Sequence, residues 1–136
     1  MLFRSLGFYG PTAAKRVSKA SRVEVWRLAP TDRPARLVAT ARRDVSEARG
    51  IVHLRRGLVE DAGFRWEHAG PPGRLPAESW DYAFVFTDED GGQTAVVVDL
   101  DASGGWLAVA GQGGRVGLGR LGHGLSSWIA ATVSAD

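Results

Sequence analysis

Residues 80–100 constrain this chain more than any other stretch, because their side chains alternate as only a two-sided strand allows. Trp80, Tyr82, Phe84 and Phe86 fall on one face, and Asp81, Ala83 and Val85 fall on the other. Asp88, Glu89, Asp90, Gly91 and Gly92 follow, and Asp-Gly is the usual chemistry of a hairpin turn. The chain returns over 94–100, turns at 102–105 and extends again over 106–110. A glycine-rich turn then leads to a fourth short strand around Val116 and Leu118. Strands joined in this way form an antiparallel meander. An aromatic row of this size needs a cover, since large exposed apolar patches are rare on single domains.

The first half of the chain supplies that cover. Asp44 and Glu47 stand at capping-box spacing, so a helix is expected to start there. Ala48, Ile51, Val52, Leu58, Val59 and Ala62 recur at helical spacing, and Gly63 is the expected stop. Gly50 and Gly57 each cost such a helix about 1 kcal/mol relative to alanine. Close approach to the sheet is the expected reason for them. A shorter helix is predicted from a Thr12 cap to Ala20, with Ala13, Ala14, Val17 and Ala20 on one side and Lys15, Arg16 and Lys19 on the other. Residues 22–28 read as a strand, with Val23 and Val25 facing one way and Trp26 and Leu28 the other. It pairs as a hairpin with a second strand over 36–40. Residues 64–66 form a short strand, and 68–78 form a proline-rich loop. A closing helix runs from Gly122 to about Val133. The fold class expected is α+β: an antiparallel meander sheet with one main amphipathic helix packed on a face, plus short N-terminal and C-terminal helices.

A chain of 136 residues is the size of one domain. Residues 1–11 read as a leader and 12–136 as a single α+β domain. Residues 1–5 match what a common sequencing adapter encodes from a GTG start, so they are expected to be an assembly artefact that displaces the natural start. The chain has no cysteine, which excludes disulfides, thiolate catalysis and cysteine-based metal sites. No apolar run reaches the roughly 18 residues that a membrane span requires. The 17 basic residues are almost all arginine, which together with abundant Ala and Gly marks a GC-rich coding sequence and suggests a bacterial protein. The charges are segregated. Residues 1–66 hold 14 basic and 6 acidic side chains, and 67–136 hold 3 and 9. Such a split marks either an anion-binding face or two halves that neutralise each other on folding.

No motif supplies chemistry. Gly117, Gly119 and Gly122 match G-x-G-x-x-G, but only 14 residues follow, too few for the second strand of a dinucleotide fold. Asp88, Glu89 and Asp90, with Asp99 and Asp101, form an acidic group that lacks the ligand spacing of a calcium loop. His53, His68 and His123 have no partner at metal spacing, and no G-x-S-x-G elbow surrounds any serine. The aromatic row lacks the glycines and basic residues of RNA-stacking sheets, so core packing is the better reading. Accordingly, no catalytic residue, cofactor or metal is expected.

The leading expectation is a non-enzymatic binding or interaction module whose partner is a protein or small ligand. An exported or lipid-anchored location is slightly favoured over the cytoplasm. The first alternative is anion or nucleic-acid binding through Arg42, Arg43, Arg49, Arg55 and Arg56. The second is an enzyme with a dispersed carboxylate site around Asp99 or Asp101 and His123. Trp26, Trp66 and Trp106 mark a sheet face that a second copy could cover.

Overall fold

A computed structural model describes residues 9–29, 38–59, 64–65, 81–100, 105–110, 116–118 and 120–132. They form helices α1 (Pro11–Lys19), α2 (Ile51–Val59) and α3 (Arg120–Thr132). The strands are β1 (Arg22–Leu28), β2 (Ala39–Asp44), β3 (Phe64–Arg65), β4 (Tyr82–Thr87), β5 (Gln93–Asp99), β6 (Trp106–Val109) and β7 (Val116–Leu118). The sheet runs β2-β1-β4-β5-β6-β7-β3, with every pairing antiparallel and both ends open. The expected meander is its β4-to-β7 part. The expected β1–β2 hairpin sits against it, because β1 pairs with β4 from Arg22↔Thr87 to Arg27↔Tyr82.

The alternation of β4 and β5 decides the core. Phe84, Phe86, Val96 and Val98 join Val23 and Val25 of β1 on one face, all fully or almost fully buried. All three helices lie on that face. Ala13 and Val17 of α1, Ile51, Leu54 and Leu58 of α2, and Leu125 and Ile129 of α3 complete one apolar cluster. The opposite face carries smaller residues. Ala83, Val85, Val97 and Ala108 are buried there, with Trp26, Leu28 and Ala95 packed against them. Trp80 and Trp66 lie outside the described residues.

α1 is capped at Gly10, with Pro11 as its first residue, rather than at Thr12, and α3 begins at Arg120 rather than Gly122. Around Asp44 two further boundaries differ from the sequence reading, for one reason. β2 does not stop at residue 40 but continues to Asp44, because Arg42, Arg43 and Asp44 pair with Trp26, Val25 and Glu24 of β1. Asp44 is therefore the end of a strand and not a helix cap. Its carboxylate accepts the Ser46 N–H at 2.9 Å, an Asx-type turn that leads the chain away from the sheet. The main helix begins only after Gly50, whose φ of +85° lies in the left-handed region and would break a helix interior. Trp128 of α3 sits directly over Gly50, and Leu121 of α3 crowds Gly57. The close neighbour at both glycines is thus a helix rather than the sheet, and Gly50 is required by its φ as well. The expected end of this helix at Ala62 lies outside the described residues.

Tyr9 ties α1 to α2. Its hydroxyl, fully buried, donates to the Leu58 carbonyl at 2.7 Å, one of the last-turn carbonyls that an α-helix leaves without an internal partner. Tyr9→Phe is expected to cost about 1–2 kcal/mol, read from the urea midpoint, because it leaves a buried carbonyl unsatisfied. Burial pushes the Tyr9 phenol well above its ordinary range. The unfolded chain releases this proton from about pH 10 while the folded chain keeps it, so stability falls as pH rises above that value. Tyr9→Phe should flatten this alkaline loss.

Candidate functional site

The five arginines singled out from sequence do not share one surface. Arg55 faces inward: its Nε donates to Val17 O at 2.8 Å and Nη2 to Arg16 O at 3.1 Å, and its guanidinium lies 5.6 Å from the Phe86 ring centre. Desolvation lowers its pKa. It ties down the last turn of α1, whose carbonyls need donors. Arg42 belongs to the far face of the sheet and lies 4.2 Å above the Trp26 ring, a cation–π contact. Arg43 is half-buried and lines a hollow of about 590 Å³ with Ser46, Glu47 and Thr132.

Arg49 and Arg56 remain, and these two do come together with other groups. His53 and Arg56, three residues apart, share the outward side of α2, and Arg49 stands in the turn before it, across Gly50; all three are exposed. Val52, 68% exposed, lies among them. The head of this stripe is fixed from α3, where Trp128 Nε1 donates to Arg49 O at 2.9 Å. On α1, packed beside α2, Lys15 and Lys19 are also exposed. The helices contain Lys15, Arg16, Lys19, Arg55, Arg56 and Arg120 and no Asp or Glu. Among the described residues the carboxylates stand on strands and turns instead.

The acidic residues resolve into separate groups. Asp88, Glu89 and Asp90 occupy the β4–β5 turn and face Lys15, Arg16 and Lys19 across an open cleft of about 660 Å³. Arg16 crosses it: its Nε pairs with Asp88 at 2.7 Å and Nη1 donates to Gln93 O at 3.2 Å. The two halves of the chain therefore meet with opposite charges here. Asp99 lies at the other end of β5, six residues from Gln93, a distance of roughly 20 Å along a strand. It faces away from the helices, whereas His123 is exposed on α3, on the helical side. Asp99 and His123 therefore do not converge, and Asp101 and His68 lie outside the described residues. Among the described residues no group of three or more His, Asp or Glu side chains is placed to hold a metal. No described helix is long and apolar enough to cross a membrane. Gly117 of the glycine motif is a strand residue paired with Trp106 and Arg65, not part of a phosphate loop.

Comparison with family models, characterised proteins and solved structures finds no match.

The site is therefore defined by its own geometry. Sequence reasoning included Arg49 and Arg56 but did not add Lys15, Lys19 or His53 to them. The signal was hidden, because the helix expected from sequence over 44–62 includes Asp44, Glu47, Glu60 and Asp61, whereas the observed α2, Ile51–Val59, contains no carboxylate.

Proposed function

We propose that this chain is a non-catalytic binding module that holds an acidic or phosphate-bearing partner against its helical layer. The observation that carries the reading is the set of exposed cations at and just before α2, Arg49 and Arg56 with His53, on described helices that contain no carboxylate. Among the described residues, Lys15, Lys19, Arg49 and Arg56 are in no ion pair, but Lys15 and Lys19 face the acidic β4–β5 turn, so Arg49 and Arg56 are the charges offered to a ligand. Exposed cations of this kind attract polyanions and lose them as salt screens the charges. The separation of Asp99 from His123 supports a binding role over the dispersed-site enzyme.

The test is fluorescence anisotropy with a labelled single-stranded oligonucleotide, titrated from low to physiological salt. Binding should weaken steeply with salt, and Arg49→Ala with Arg56→Ala should lower the logarithmic salt slope by about 1.4, or about 0.7 per contact on a single strand. Arg55→Met should instead reduce thermal stability and leave the slope unchanged. No binding at low salt to either the oligonucleotide or a polyglutamate chain, or binding indifferent to salt, would refute the reading.

A further inference from the structure

Among the described residues strand β2 ends the sheet, and none pairs with its outer edge. Val45 donates its N–H to Val23 O at 2.8 Å, which fixes the phase of the β1–β2 ladder. In an antiparallel pair the backbone groups turn alternately toward and away from the neighbour. Ala41 and Arg43 therefore turn toward β1, and Arg42 and Asp44 turn outward. Both are exposed, and no strand lies beyond β2 among the described residues.

Arg42 and Asp44 are two positions apart, so their side chains stand on the same face with opposite charges. An antiparallel edge with that pattern is complementary to itself. In the register centred on Arg43, Arg42 of one copy lies opposite Asp44 of the partner subunit, and the second pair repeats the contact about a two-fold axis. Charged edges normally discourage pairing, and a single sign does so best. This edge has both signs in a self-matching order. We propose that β2 is the seam of a two-fold homodimer in which two sheets join into one continuous antiparallel sheet.

Both charges are already held in place for this contact. Arg42 rests on the Trp26 ring, and Asp44 is held by the Ser46 N–H and by Arg22 at 3.5 Å. Arg43 lies on the axis, opposite Arg43 of the partner subunit; this like-charge pair stands on the other face, where Glu47 of the same chain lines the hollow beside it. The inference rests on the charges of this edge and not on the proposed binding role of the basic helices.

Sedimentation equilibrium of the whole chain at low salt, with circular dichroism as the folding control, tests it. The wild type should form a reversible dimer. Arg42→Asp or Asp44→Arg, each placing like charges opposite one another twice, should weaken it about tenfold. The double reversal should restore it to within about threefold of wild type. Should a reversed chain lose its folded spectrum, Arg42→Gln and Asp44→Asn decide, each with an expected weakening of about threefold. A monomeric wild type, a dimer indifferent to these changes, or a folded double reversal that stays monomeric overturns the proposal. So does a monomer that adds an extended polyglutamate peptide at β2, which would assign the edge to a foreign strand.

Discussion

Gly105→Ala should destabilise the protein by about 3–5 kcal/mol, the range reached when backbone strain and a steric clash coincide. Gly105 has a φ of +93°, where an alanine costs roughly 1–2 kcal/mol before any contact is considered. A Cβ there would also overlap the Asp99 carbonyl oxygen and press on Leu100, both backbone, so no side chain can move aside to relieve it. The residue is buried, and its carbonyl accepts the Leu118 N–H at 3.0 Å. Any shift at Gly105 therefore strains the β6–β7 pairing as well. Gly91→Ala is the control. Its φ is +90°, but nothing lies within 4 Å of the added methyl, so only the conformational cost of roughly 1–2 kcal/mol is expected. Chemical denaturation of the two variants separates the terms. Equal losses would show that the Asp99 contact relaxes freely and that the larger figure is wrong.

Phe84→Ala is expected to cost about 3–5 kcal/mol, the usual loss for removing a buried aromatic ring. Phe84 is fully buried in β4, between Val25 of β1 and Val96 of β5, with its ring 6.2 Å from that of Trp128. It touches sheet and helical layer together, so its cavity cannot close without moving α3. The loss approaches the whole stability of a small domain, about 5–15 kcal/mol, and should lower the melting temperature by roughly 10 °C or more. Phe84→Leu keeps most of the volume and should cost about half as much or less. A Phe84→Ala loss below about 1 kcal/mol would mean that this face is not the core.

The sheet was legible where a strict local period specified it. Tyr82, Phe84 and Phe86 alternate without interruption, and the turn after Thr87 has the residues that a hairpin requires. The start of α2 was not legible, because Asp44 and Glu47 meet the capping-box spacing equally well as a strand end and its turn. Only Glu24, twenty residues away, settles the matter by pairing with Asp44. The binding surface was half legible for a similar reason. Arg55 and Arg56 are chemically identical neighbours, yet one helical step turns the first onto Val17 O and leaves the second exposed. Local sequence records that they differ in direction but not which one faces inward.

The place of β1 between β2 and β4 has a consequence for how the protein is made. On a ribosome the β1–β2 hairpin, α1 and α2 are complete while β4 and its Phe84 are still unsynthesised. Tyr9 can reach Leu58, 49 residues on, but Val23 and Val25 still lack the strand that completes their side of the core. Arg16 must wait 72 residues for Asp88. The nascent half therefore presents an apolar surface and an open strand edge together, the combination that invites aggregation. Its surplus of arginine, unbalanced until the acidic half arrives, keeps such nascent chains apart by mutual repulsion.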